Sequence, residues 1–206
     1  WSYALAIAGA EGKILLIDHL MSNLKHSEQL LSGQNRLQCE FLQIALSDKA
    51  DNLTFYINKD PNLSGHDSLL NMSEIRYKEN TERIKVFTNT LDNEMDSRNI
   101  SSILFLKIDV EGSELNVLRG CKRRLSEGLI EFIQIEFGHS SRAARVYLHD
   151  IYNYVESFNY SIYCIKSHGL LKLDFHPYLE NMYSQVNLLL VRSDSEAKLS
   201  DYVVNR

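Results

Sequence analysis

Ile103-Leu104-Phe105-Leu106-Lys107-Ile108-Asp109-Val110-Glu111-Gly112-Ser113-Glu114-Leu115 changes character twice within a short stretch. From Ile103 to Ile108 it is apolar except for Lys107, and it ends on the carboxylate of Asp109. Runs of this length with little alternation are typical of strands buried on both faces of a parallel sheet. Gly112 then permits a tight turn. Ser113 is a candidate N-cap with Glu114 in the first turn behind it. Leu115, Leu118, Cys121 and Leu125 recur at spacings of three or four, the period of one helix face. Lys122, Arg123 and Arg124 complement the end of that helix, and Gly128 lies past it. The expectation is a buried strand, a sharp turn and a single helix.

Three other apolar runs end in the same way. Ile14 to Ile17 precede Asp18, Phe41 to Leu46 precede Ser47 and Asp48, and Ile130 to Ile135 precede Glu136. Helical periodicity follows the last of them at Leu148, Ile151, Val155 and Phe158. Strand alternating with helix is the pattern of a doubly wound α/β sheet. The stretch from Asp48 to Asp109 is too long for one crossover helix. Within it, Leu53 to Ile57 and Ile84 to Thr90 read as two further strands, joined by a polar loop with Pro61, Gly65 and His66. Tyr160 to Ile165 and Val186 to Val191 read as antiparallel neighbours at one edge, with a turn at Ser167-His168-Gly169. The expected fold is α/β and Rossmann-like: a doubly wound, mostly parallel sheet with an antiparallel edge and an inserted hairpin.

Composition narrows the function. With 206 residues, 44% hydrophobic and 24% charged, the chain has globular proportions and enough length for a core without disulfides. A net charge of −5 argues against a protein whose task is to grip phosphate backbones, and no basic stripe with interleaved aromatics is present. No apolar stretch approaches the ~18 residues of a membrane span. Cys39, Cys121 and Cys164 are far apart and odd in number, so they read as thiols of a reducing compartment, and a cytoplasmic location is expected. The seven histidines show no metal-ligand spacing, so no metal site is expected, with magnesium on Asp109 and Glu136 as a weaker alternative.

In a parallel sheet the C-terminal strand ends share one edge, where ligands of open α/β folds bind. Asp18, Asp48, Asp109 and Glu136 would therefore face one rim. Such a rim accepts ribose hydroxyls and favours a cation over a phosphate-rich ligand. No G-x-G-x-x-G is present; Gly9-Ala10-Glu11-Gly12 precedes a strand and has the wrong context for a dinucleotide. S-adenosylmethionine, with a ribose and a sulfonium but no phosphate, suits this rim better.

Leu106-Lys107-Ile108-Asp109-Val110-Glu111-Gly112-Ser113-Glu114-Leu115, followed by Val117-Leu118-Arg119-Gly120, resembles the KIDVEG-x-E-x-x-VL-x-G signature of FkbM-type methyltransferases. Ala45-Leu46-Ser47-Asp48, Thr90-Leu91-Asp92 and Ile133-Gln134-Ile135-Glu136 match in support. The resemblance runs from about Tyr3 to Val191. It implies an S-adenosylmethionine-dependent methyltransferase domain over residues 1–192, with 193–206 as a C-terminal tail. It also implies transfer to a hydroxyl oxygen of a sugar, polyketide or other small acceptor. The family's acidic-Gly-x-Gly loop and the strand before it would lie upstream of Trp1. Ile17-Asp18-His19 stands where the family has Phe-Glu-Pro.

Each candidate has a plainer reading. Asp18 is placed as the ribose acceptor, against a role as a helix cap. Ser47 and Asp48 are placed on the adenine side, against turn residues. Asp109 and Glu111 alternate on one side as the strand opens, as cofactor and catalytic residues, against stabilising the helix start. His139 is a candidate general base, against a solvated loop histidine. Lys107, inside an apolar run, is expected to ion-pair with a rim carboxylate. The rival readings are a non-catalytic Rossmann-like binding module of a larger glycan-processing protein and, less well supported, a nicotinamide-dependent oxidoreductase.

Overall fold

A computed structural model describes residues 11–33, 36–58, 81–174, 176 and 185–204. The hairpin loop with Pro61, Gly65 and His66 lies outside these residues. The apolar runs become strands. β1 (Gly12–Asp18) pairs in parallel with β2 (Leu37–Gln43), and the helix α1 (Met21–Leu31) connects them. A break at Ile44 separates β2 from β3 (Ala45–Leu46), so the expected run from Phe41 to Leu46 is two strands, the first beginning earlier. β3 pairs in parallel with β5 (Thr81–Asn89), which pairs antiparallel with β4 (Asp51–Asn58) as the inserted hairpin.

The larger sheet has the order β6 (Ile103–Ile108), β7 (Ile130–Phe137), β10 (Val186–Arg192), β8 (Tyr160–Lys166), β9 (Gly169–Leu173). β6 and β7 are parallel, and β10 runs antiparallel to both β7 and β8. Two expectations change here. β10 is an inner strand, and the outer position belongs to β9, which Ser167-His168-Gly169 hairpins onto β8. Of the strand pairings among the described residues, three are parallel and four antiparallel, so the described sheets are not mostly parallel. The short polar turn between β8 and β9 forces those two to be antiparallel, because a parallel partner needs a crossover of a dozen or more residues.

One core lies between this sheet and its helices. Ile133, Ile135, Ile162, Leu188 and Leu190 of the strands meet Leu115, Leu118, Cys121 and Leu125, and Ile151 and Val155 of the helix at Leu148–Glu156. On the opposite face Tyr163, Leu189 and Val191 pack with Leu199 of a 3-10 segment, Ser193–Tyr202. That segment is tied down by Lys172–Glu196 and Lys198–Glu131 ion pairs. Cys121 and Cys164 are buried and all three cysteines are free thiols. Burial pushes the Cys121 thiol far up, and its S–H donates to the Val117 carbonyl.

Two helical features depart from the sequence reading. α2 (Leu91–Ser97) was hidden at the end of a strand run; Thr90 caps it by accepting the Asn93 N–H at 3.1 Å, and Leu91 and Met95 bury one side. The helix expected after Ser113 is two pieces, α3 (Glu114–Arg119) and α4 (Lys122–Ser126). Gly120 marks the break. A β-carbon there would sit 2.1 Å from the Ser47 carbonyl oxygen, so the two backbones touch directly. Asp92 secures the restart: its N–H donates to the Gly120 carbonyl at 3.0 Å, and its carboxylate accepts the N–H groups of Arg123 at 2.9 Å and Arg124 at 3.1 Å. A carboxylate from one helix thereby serves as the missing N-cap of another.

Because the obstruction at Gly120 is backbone, no side chain can move aside. Gly120→Ala is expected to lower stability by roughly 1–3 kcal/mol, as overpacking does, although alanine is the better helix former. Thermal or urea melting checks this; a variant as stable as the parent would show that the contact relaxes freely.

Candidate active site

The segment from Asp109 to Glu114 leaves β6 through a reversal that requires left-handed backbone at two successive positions. Glu111 has φ +48° and Gly112 has φ +100°. A non-glycine residue in this region carries a conformational cost and needs support from its surroundings. Glu114 supplies that support. Its buried carboxylate turns back over the loop and accepts the N–H groups of Gly112 at 3.1 Å and Val110 at 3.4 Å. Burial raises its pKa to about 7, opposed by those backbone hydrogen bonds, with the Glu111 charge adding to the rise. Ser113 precedes α3 at the N-cap position, yet makes no capping hydrogen bond; the loop is closed from within by Glu114.

Four carboxylates surround one small cavity of about 30 Å³: Asp109, Glu111, Glu114 and Glu136, with His139 and Gln185 also on its wall. Lys107 ion-pairs with Asp109, as expected from its place in an apolar run. Ser140 donates its hydroxyl to Glu111, which joins the loop after β6 to the helix α5 (His139–Ala143) after β7. Gln185 donates to Glu136 from the start of β10. His139, the first residue of α5, is exposed. The structure therefore brings Asp109, Glu111, Glu136 and His139 together at the ends of two adjacent parallel strands.

The remaining candidates lie off this cavity wall. Asp18 ends β1, and its carboxylate accepts the Leu20 N–H at 2.7 Å and the Asn23 side-chain amide at 3.1 Å, with His19 Nδ1 3.5 Å away. A carboxylate has about four lone-pair sites, so these contacts leave acceptor capacity. Ser47 is buried; its N–H donates to the Asn89 carbonyl at 2.9 Å and its hydroxyl to Asp48 at 3.2 Å. Sequence reasoning missed the site roles of Glu114, Ser140 and Gln185. Glu114 had as signals its first-turn position and its place in the signature, neither of which says that it turns back onto the loop, and the other two are brought in by neighbouring strands. Among the described residues no group of three or more His, Cys, Asp or Glu side chains is arranged to hold a metal ion, and no helix is long and apolar enough to cross a membrane.

These elements define an α/β domain in which the adjacent parallel strands β6 and β7 bring Asp109 and Glu136 to one edge, with an Asp-x-Glu-Gly reversal directly after β6. The family model described as the methyltransferase FkbM domain matches residues 1–162. The chain belongs to that family of methyltransferases. Searches among curated proteins and among solved structures found no match.

Glu114 gives the site a pH signature. Its folded-state pKa of about 7 lies above its ordinary 4.5, so its contribution to stability is complete below pH 4.5 and is lost as pH rises through 7. The loss is on the order of 3 kcal/mol. Glu114→Gln removes the ionisation and keeps an acceptor oxygen. Its melting temperature relative to the parent is expected to climb between pH 4.5 and 8 and then level off. Parallel pH profiles for the two proteins would show that Glu114 is not held in its uncharged form.

Proposed function

We propose that the protein transfers a methyl group from S-adenosylmethionine to a hydroxyl oxygen of a small acceptor. The observation that carries this reading is the convergence of Asp109, Glu111 and Glu136 on one cavity at the ends of β6 and β7, in a chain of the FkbM family. The donor chemistry fits the cofactor: carboxylates favour a sulfonium, and Asp18 at the end of β1 retains capacity for ribose hydroxyls. A cavity of about 30 Å³ admits roughly one water-sized group, so it takes only the charged end of such a molecule. Asp18 would hold the ribose and Ser47 and Asp48 the adenine side. When bound, S-adenosylmethionine supplies an electrophilic methyl group on positively charged sulfur.

The chain's own residues position and deprotonate. Glu114 locks the reversal that carries Glu111, and Ser140 fixes one oxygen of Glu111. Such positioning supplies much of the acceleration in a displacement that requires alignment. An alcohol acceptor also needs a base, and Asp109, Glu111 and His139 stand at the cavity for that step. Lys107 engages Oδ2 of Asp109 and leaves Oδ1 for the acceptor's proton.

The finer architecture belongs to the same reading. Among the described residues β1 hydrogen-bonds only to β2 and β6 only to β7, and Leu104 on β6 is 68% exposed. One further strand between β1 and β6 would join the sheets into a single Rossmann-like, doubly wound sheet, and its loop would complete the cofactor site. Residues 1–192 are then the part of the methyltransferase domain that follows this strand.

Calorimetric titration with S-adenosylmethionine tests the cofactor assignment. A chain lengthened upstream is expected to bind more tightly than the 206-residue chain. Asp18→Ala in the longer chain should lose ~1.5–3 kcal/mol, the value of a charge-assisted hydrogen bond. Equal affinities throughout would remove both the added strand and Asp18 from the site. Turnover tests the catalytic assignment: Asp109→Asn and Glu111→Gln are each expected to reduce methyl transfer by roughly 10²–10⁴-fold with melting temperatures close to the parent's. Near-normal rates in both would make the Asp-x-Glu segment structural.

A further inference from the structure

A second, larger cavity of about 400 Å³ adjoins the same loop, on the far side of α3. Its chemistry is opposite to that of the acidic cavity. Ser113, Asn116 and Arg119 fall at i, i+3 and i+6, so they form one stripe along α3 and line the groove together. Arg145 lines the groove from the turn after α5. Among the described residues neither arginine forms an ion pair: Arg119 reaches only the side-chain oxygen of Asn116, at 3.3 Å. The one acid on the wall, Asp150, is engaged through one oxygen, which accepts the Tyr147 N–H at 2.8 Å, so the wall carries two guanidinium groups against one carboxylate. Ser113 spends no hydrogen bond on capping α3.

The backbone at Arg145 strengthens the case. Arg145 has φ +59°, with its N–H donating to the Arg142 carbonyl and the Val146 N–H to the Ser141 carbonyl, both at 2.9 Å. This is a Schellman ending of α5, in which the left-handed position is usually glycine because a β-carbon is unfavourable there. An arginine at this position costs stability, and Arg145 lines a groove that a second arginine, Arg119, also lines. Guanidinium groups recognise carboxylates and phosphates through paired hydrogen bonds.

We propose that this groove binds an anionic group of the methyl acceptor, with Arg119 and Arg145 as its ligands and Ser113 and Asn116 as neutral hydrogen-bonding partners. The acceptor is thereby an acidic hydroxylated molecule, carrying a carboxylate or a phosphate ester beside the hydroxyl that reacts. This rests on the methyl-transfer reading only for the word acceptor; the oxyanion site stands on its own residues.

The test therefore needs no cofactor. Glucose, glucuronate and glucose 6-phosphate are titrated into the 206-residue chain and followed by calorimetry and by the shift in melting temperature. At least one of the two anions is expected to bind and stabilise while glucose does not, and the better anion identifies the charged group. Arg145→Gly should raise the melting temperature, because glycine suits the left-handed position, and still weaken anion binding by roughly tenfold. Arg119→Gln should weaken it similarly with little change in stability. A purely structural arginine predicts the opposite for Arg145→Gly: binding retained, with no loss tied to the gain in stability. Absence of binding by both anions, or affinity unchanged in both variants, overturns the proposal. Binding of anions by the upstream-lengthened chain, with no methyl transfer to them from S-adenosylmethionine, would leave this site standing and overturn its assignment to the methyl acceptor.

Discussion

The return of the Glu114 carboxylate onto the backbone of its own loop is the constraint on which the rest of the site depends. The chain must reverse immediately after β6, and it does so through two left-handed residues, one of them glutamate. Left alone, that reversal would expose the N–H groups of Val110 and Gly112 to an apolar interior, where unmet donors are costly. Glu114 meets both. The conformation that sets Glu111 against Ser140 is thus stabilised from the helix that follows, with no contribution from the ligand.

This solution has an electrostatic consequence. A carboxylate buried beside Glu111, with Asp109 and Glu136 on the same cavity wall, cannot stay ionised as readily as one in water. Lys107 offsets part of the negative charge at Asp109, and hydrogen-bond donors from Ser140 and Gln185 face Glu111 and Glu136. The cavity keeps its acidic character because one oxygen of each carboxylate is given a donor, and the result is a preorganised negative pole beside a groove lined by Arg119 and Arg145.

Much of this was legible in the residues. β1, β4 to β8 and β10 follow from apolar runs, and Leu148, Ile151 and Val155 announce their helix by spacing alone. Asp109, Glu111, Glu136 and His139 meet because strand ends in a parallel pair share an edge, a rule that sequence pattern can invoke. What escaped were contacts between distant segments. Nothing near Gly120 says that the Ser47 carbonyl presses on it, so the helix break there could not be read from periodicity. Asp92 gave a motif match but no hint that it caps α4. The short strand β9 has too few residues to show a pattern, and the inner place of β10 depends on pairing partners that no local window contains.

The backbone contact between Gly120 and Ser47 ties the hairpin sheet to the half that carries the acidic cavity, beside Leu46, which packs on the main core. Around it, Ser47 donates to the Asn89 carbonyl, and the Thr88 hydroxyl is shared between the Lys49 and Asp51 carbonyls at 3.0 and 3.2 Å. The base of the hairpin is therefore clamped by backbone groups, while β4 and β5 run outward from it in plain antiparallel register. Such an arrangement separates precision from variation. The arm beyond the clamp can change in length and sequence without displacing the carboxylates at the strand ends, so insertions there are absorbed outside the acidic cavity.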